Sequence, residues 1–144
     1  MKMKNNKLLM IMLMMLVAIT LVGAIALVIV MKFSGEDETK EPTIDDVLEA
    51  SVDIPQITAN LASDDYIRIS FKIQTENKKA KEELQKRDFQ VKNLIIQELS
   101  EMKAEDIQGK EGQIKLQEDL KTKINGLMQE GKIVQVYITE SLLQ

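Results

Sequence analysis

The sequence contains no cysteine, no histidine and no tryptophan, and its only aromatic residues are two tyrosines and three phenylalanines in 144 positions. Without imidazole or thiol there is no Ser-His-Asp triad, no cysteine nucleophile and none of the usual ligands of zinc, haem or iron–sulfur clusters. The missing cysteine also removes any disulfide from which a compartment could be read. Positive charge is short as well, with 19 Lys and Arg against 23 Asp and Glu. Lys2, Lys4 and Lys7 stand in the first 31 residues with no acid, so the rest of the chain holds 16 cations against 23 acids, a net of −7. Such a body cannot neutralise a phosphate backbone, the dominant source of nucleic-acid affinity. Most familiar enzyme classes and nucleic-acid binding are thereby excluded, and the length allows one small domain at most.

What is present first is a long apolar run. Leu8 to Met31 is 24 residues without a charge, interrupted only by Thr20 and Gly23. At about 1.5 Å per residue it extends roughly 36 Å, enough to cross a hydrocarbon core of about 30 Å with some tilt. A cleaved signal peptide is the competing reading, but its apolar region usually runs about 7–15 residues and ends at a small-x-small site. The one candidate, Ala24-Ile25-Ala26, is followed by the still apolar Leu27–Met31. An uncut transmembrane helix with ends at Leu8 and Met31 is therefore expected. Lys2, Lys4 and Lys7 precede it, and Glu36-Asp37-Glu38 follow the nearly isolated Lys32, so the positive-inside rule places residues 1–7 in the cytoplasm and the body outside the cytoplasmic membrane. Seven of the nine methionines lie at or before Met31. With no histidine to join them they read as flexible apolar filler rather than a copper-binding thioether cluster. Thr20 and Ala24, four apart, form a small-xxx-small pair of the kind that lets two helices approach closely.

Residues 32–42 read as an acidic, hydrated linker, rich in charge with Gly35 and Pro42, and without the regular loop spacing that wraps a calcium ion. Residues 43–144 then read as one domain. Thr43 can cap a short helix through Ala50, with Asp45 and Asp46 in its first turn. Val52 to Leu61 reads as an extended segment interrupted by Pro55, which marks an edge or a strand start. Ser63-Asp64-Asp65 makes a turn. Tyr66 to Gln74 alternates strictly, with Ile67, Ile69, Phe71 and Ile73 on one face, as a half-buried antiparallel strand does. Asn77 can cap one long helix reaching about Met102, whose face carries Val91, Leu94, Ile95, Leu99 and Met102. Gly109 and Gly112 break the chain, and a second helix from about Gln113 carries Leu116, Leu120, Ile124, Leu127 and Met128 before Gly131 supplies its C′ stop. Ile133 to Thr139 returns as a strand with Val134, Val136 and Ile138 on one face. The expected class is α+β, with helices over one side of a small sheet.

One catalytic spacing needs weighing. Ser100-Glu101-Met102-Lys103 matches S-x-x-K, which puts a lysine amine beside a serine hydroxyl in penicillin-recognising enzymes. Its partner motifs fail, because Ser63-Asp64-Asp65 lacks the amide and Lys121-Thr122-Lys123 lacks the glycine, and the residues beyond the span are too few to enclose such a site. Adjacent acids such as Glu82-Glu83 and Glu105-Asp106 read as solvated side chains rather than a two-carboxylate centre. No catalytic, cofactor-binding or metal-ligating residue is assigned.

The residues placed on these strands and helices resemble the FliL family of flagellar basal-body-associated membrane proteins. The resemblance runs over nearly the whole chain: the Lys-bearing N-terminus, one span, an acidic linker, and Asn60-Leu61 before Tyr66-Ile67-Arg68-Ile69. Arg87-Asp88 follows, leading into Ile95-Ile96 and Leu99-Ser100, then Asp106-Ile107, Gly112, Leu116, Ile124-Asn125 and Gly131. Val134-Gln135-Val136-Tyr137-Ile138-Thr139 and Gln144 come last. The family commonly has Phe where Ile138 and Ser141 stand here. The resemblance implies a fold similar to the stomatin/prohibitin (SPFH) type and a non-enzymatic accessory role in the flagellar motor. It also implies association with the basal body and with stator proteins of the MotA/MotB type, a homo-oligomeric ring at the membrane, and a contribution to stator retention, torque, flagellar rotation and hence motility and chemotaxis. It implies no cofactor and no small-molecule substrate. An extracytoplasmic sensor or ligand-binding module on one transmembrane helix is the alternative, and would require a pocket with convergent polar groups.

Overall fold

The computed structural model describes residues 2–34 and 41–144. These fall into two units that divide after Glu41. The first is a single helix, α1 (Lys2–Ser34), whose stretch Asn6–Lys32 is long and apolar enough to cross a membrane. Every side chain described in that stretch is exposed, Leu8 and Met31 among them. Thr20 turns its hydroxyl back onto the carbonyls of Leu16 and Val17, so the one hydroxyl in the span is satisfied within its own helix. The linker acids Glu36, Asp37 and Glu38 lie outside the described residues.

The second unit runs α2 (Ile44–Glu49), β1 (Ser51–Asn60), β2 (Tyr66–Thr75), α3 (Lys78–Lys86), α4 (Asp88–Glu101), α5 (Ala104–Ile107), α6 (Gly109–Asn125) and β3 (Ile133–Leu143). It is α+β, built on a three-stranded antiparallel sheet in the order β1-β2-β3. β2 is central because its alternation is complete: Ile67, Ile69, Phe71 and Ile73 are all essentially inaccessible. Those four side chains meet Leu84 of α3, Val91, Ile95 and Leu99 of α4, and Leu116, Leu120 and Ile124 of α6 in one core. Helices thus cover one face of the sheet, as the two hydrophobic periods require.

The local signals account for most boundaries. Thr43 caps α2 through a reciprocal box, its hydroxyl accepting from the Asp46 amide at 3.2 Å while the Asp46 carboxylate accepts from the Thr43 amide at 3.0 Å. Pro55 is exposed on an edge strand, at the irregularity between Ile54 and Ile57 where two residues oppose one on β2, so its missing N–H costs the ladder nothing. Asn77 caps α3 by accepting from the Ala80 amide at 2.9 Å.

Four expectations are corrected. The long helix expected from Asn77 to Met102 is two helices, broken at Arg87, whose backbone lies at φ −91°, ψ 12°. A continuous helix carrying Leu84 and Val91 on its buried stripe would point position 87 or 88 into the core as well. Both are charged, and the break turns Arg87 outward. A further short helix, α5, occupies Ala104–Ile107, a stretch to which the sequence pattern assigns no element. Gly109 and Gly112 do not end structure but lie in the first turn of α6, which starts four residues earlier than expected. A β-carbon on Gly112 would collide with the Asp106 carbonyl, so this glycine lets α5 and α6 meet backbone to backbone. Finally, β3 runs to Leu143, and irregularities between Gln74 and Thr75 and between Ser70 and Phe71 shift its register. Ile133 and Val136 are the buried pair, Ile138 is half-buried, and Val134, expected inward, is 41% exposed.

Candidate functional site

The residues singled out from sequence do not converge on one point. They fall into groups, each with a physical task. At one end of the sheet Asn60 pairs with Tyr66 across the β1–β2 turn. The Tyr66 amide donates to the Gln144 carbonyl at 2.7 Å and the Gln144 amide returns the bond at 2.8 Å. Leu61 beside them is buried. In the turn, Asp64 adopts φ +63°, and the Ser63 hydroxyl donates to Asp65 while accepting from the Ala104 amide, which ties the turn to α5. Leu99 and Val136 are core residues. Tyr137 is 44% exposed on the open face, its hydroxyl donating to Gln74 Oε1, and Thr139 is exposed.

Ser100 and Lys103 are not presented as a catalytic pair. Ser100 sits in the last turn of α4 with its hydroxyl donating to the Gln97 carbonyl, whereas Lys103 lies beyond the helix end at Met102 and starts α5. Met102 between them is extended, so the spacing does not bring them onto one helical turn.

The richest assembly surrounds the loop 126–132. Asn125, last residue of α6, accepts from the Ile133 amide at 2.7 Å and donates to the Ile133 carbonyl at 3.2 Å, clamping both ends of the loop. Gly131 is not the C′ residue of α6, which is followed directly by Gly126. Its role is close approach, because a β-carbon there would collide with the methyl of the fully buried Ala80 on α3. Glu83 on α3 accepts from the Gln129 amide at 2.8 Å, the Glu130 amide at 2.6 Å and Arg87 Nε at 2.9 Å. Burial pushes the Glu83 carboxyl up, but the backbone donors of Glu130 and Gln129 and the Arg87 guanidinium outweigh it and hold the group below the usual range. Arg87 also donates to Gln90 at 2.9 Å. Arg87, Asn125 and Gly131, remote in sequence and each named in the resemblance above, therefore serve a single loop. Asp88, next to Arg87, pairs with Lys92 at 2.8 Å.

This assembly frames the surface. A hollow bounded by α3, α4 and the loop is lined by Lys79, Glu82, Lys86 and Phe89, and a second hollow, lined by Asn93, Leu94 and Leu127, meets it at Phe89. Phe89 is 71% exposed, two residues ahead of Val91 and so on the opposite side of α4 from the core stripe. Sequence reasoning passed over it. The signal was there, since an aromatic residue that falls off a helix's apolar stripe is placed for contact rather than for packing. An acidic cleft between α4, α5 and α6 is lined by Glu98, Glu101, Asp106, Lys115 and Asp119. Glu98 there pairs with Lys123, whose amine is held above its usual range mainly by that hydrogen bond.

Fold and surface together define a small α+β domain that follows one long apolar helix in the chain, with a single apolar core and several polar side chains spent on holding loops. The comparisons place it further. The model of the family described as "Flagellar basal body-associated protein FliL" matches residues 51–144. A "Flagellar protein FliL" of Bacillus subtilis (strain 168) is 44% identical over 122 residues, covering 85% of this chain and 86% of the relative. A "Flagellar protein FliL" of Aquifex aeolicus (strain VF5) is 30% identical over 93 residues, covering 62% of this chain and 58% of the relative. The chain belongs to the FliL family and is a flagellar, basal-body-associated protein.

Proposed function

We propose that this protein is a non-enzymatic accessory of the flagellar motor that associates with the stator units and builds a ring-like scaffold supporting their retention and the torque they deliver. In this reading residues 1–7 are cytoplasmic, 8–31 span the cytoplasmic membrane, 32–42 form an acidic tether and 43–144 form an extracytoplasmic domain of the stomatin/prohibitin type. The observation that carries it is family membership joined to an α+β body in which Arg87, Asn125 and Gly131 hold one loop in place. A tethered body diffuses in two dimensions, which raises its effective concentration and lets individually weak contacts close a ring. Closure needs heterologous faces. The α3–α4 side, with Lys79, Lys86 and Lys92, and the α6 side, with Glu118 and Asp119, supply opposite charge. Lys79 and Lys92 already pair with Glu130 and Asp88 within the chain, which leaves Lys86 as the cation available for a neighbour among the three.

Deleting the gene and scoring cells at low and high load tests this reading. Swimming weakened, with the loss greatest under load, and stators released from the motor are expected. Unchanged stator occupancy and torque at high load would refute the stator role while leaving the family assignment in place.

A further inference from the structure

We propose that Asn125 and Gly126 form a self-modification site: when the loop 126–132 opens, the Gly126 backbone nitrogen closes on the Asn125 side-chain amide, and the acid that results no longer clamps the loop. Asn125-Gly126 is the one Asn-Gly pair in the sequence, since Asn5, Asn6, Asn60, Asn77 and Asn93 are followed by Asn, Lys, Leu, Lys and Leu. Glycine has no β-carbon and so leaves its nitrogen the least hindered nucleophile a backbone offers. Every other asparagine has a side chain beside the attacking atom.

The step balances with water as the only co-reactant. The Gly126 nitrogen gives up its proton and attacks Cγ of Asn125, the bond from Cγ to the side-chain nitrogen breaks, and ammonia leaves a five-membered succinimide behind. Water then opens the ring. Attack at Cγ gives aspartate, and attack at the main-chain carbonyl carbon gives isoaspartate, in which the chain runs through Cβ and Cγ. One water is consumed and one ammonia released, with no change of oxidation state.

The closed loop holds each reactant back. Asn125 is the last residue of α6, and ring closure needs a ψ outside the helical region. Its side-chain oxygen accepts from the Ile133 amide at 2.7 Å and its nitrogen donates to the Ile133 carbonyl at 3.2 Å, which keeps Cγ from turning toward the backbone. The Gly126 N–H, whose proton has to leave, donates to the Thr122 carbonyl at 3.2 Å. These restraints are released together, because Ile133 marks the far end of the loop and the last turn of a helix frays. Gly126 is exposed, so water and hydroxide reach it directly. The rate of modification is therefore set by how often the loop leaves Glu83, which holds it through the Gln129 and Glu130 amides.

Either product weakens the clamp. Aspartate still accepts from the Ile133 amide, but it has no donor for the Ile133 carbonyl and sets a negative charge against it. Isoaspartate lengthens the main chain at the end of α6. A transient opening thus becomes a permanent one.

Full-length protein in detergent, incubated in mildly alkaline buffer with and without denaturing urea, is digested with trypsin, and the peptide 124–132 is followed by mass and by separation of aspartate from isoaspartate. Conversion at Asn125 should run at least tenfold faster in urea than in buffer, with isoaspartate among the products, and faster in urea than at Asn60, Asn77 or Asn93. Gly126→Ala should slow the urea rate at least tenfold, since an alanine adopts the helical φ of −62° and hinders the nitrogen. Glu83→Gln loosens the loop without touching the reacting atoms, and should raise the rate in buffer at least threefold while leaving the urea rate unchanged. Arg87→Lys replaces it if that variant does not fold. Ile54→Val, a core change on β1, should leave the buffer rate as in wild type, and Asn125→Asp should unfold at lower urea than wild type. Equal rates in buffer and urea, a buffer rate that loosening the loop does not raise, an Ile54→Val rate raised as much as that of Glu83→Gln, or an Asn125→Asp chain as stable as wild type overturns the proposal.

Discussion

Glu83 shows how much one side chain can organise. Its carboxylate joins α3 to two amides of the loop 126–132 and to the first residue beyond its own helix, so three segments share one charge. Because the folded group is held below the usual glutamate range, it contributes stability that is fully present above that range and is lost as pH falls through the lower folded value. Glu83→Gln keeps the shape but halves the acceptor capacity, leaving one loop amide or the guanidinium without its anion. The variant should unfold at lower urea than wild type at pH 7, and the difference should shrink as pH is taken below the carboxylate range. Denaturation midpoints measured from pH 7 to pH 3 check this, and a difference that stays constant would show that packing rather than charge holds the loop.

At the scale of elements, legibility followed the strength of the local pattern. β2 could be read residue by residue, because alternation puts Ile67, Ile69, Phe71 and Ile73 on one face whatever the rest of the chain does. α2 was legible from Thr43 and its two acids. The break at Arg87 was not, since no glycine or proline marks it and its cause is the cost of burying a charge between Leu84 and Val91, a fact of packing. The register of β3 was hidden for the same reason: its irregularities are set by the partner strand, and Val134 looks as apolar in sequence as Val136. The glycines were misread in one direction. Gly112 and Gly131 read in sequence as helix punctuation, whereas Gly112 lets two backbones touch and Gly131 makes room for the Ala80 methyl. The clamp around the loop could not be assembled from sequence at all, because Arg87, Asn125 and Gly131 are brought together only by the fold.

The loop clamp makes a prediction at this scale. Gly131→Ala forces a methyl against Ala80 and should cost about 1–3 kcal/mol, the usual penalty of overpacking. Asn125→Ala strips both hydrogen bonds from the buried Ile133 backbone and should cost about 1–3 kcal/mol. The two sites hold one loop, so the double variant should lose less than the sum of the singles. Urea unfolding of the three variants checks this, strict additivity being the result that would separate the two roles.

For the whole molecule the open question is sidedness. Lys2, Lys4 and Lys7 before the span and the acids after it predict that everything past Lys32 lies outside the cytoplasm. Cysteines introduced at Ser34 and at Lys110 should both react with a membrane-impermeant maleimide on intact cells, and Lys4→Cys should react only after lysis. Protection of the first two, or a mature chain beginning after Ala26, would reverse or remove the anchor.

The place of β3 in the chain bears on how the domain comes into being. β2 must wait for its second neighbour through four helices, since Thr75 pairs with Ile133 and Ile67 with Leu143. Closing so long a loop is slow, and until it closes the edge of β2 and the side of its apolar face that Val136 covers stand open. Until β3 arrives the domain is therefore a half-built sheet with an unpaired edge, open to pairing with another unfinished chain. Crowding favours such mispairing, so the rate at which β3 arrives sets how densely these chains can be made in one place.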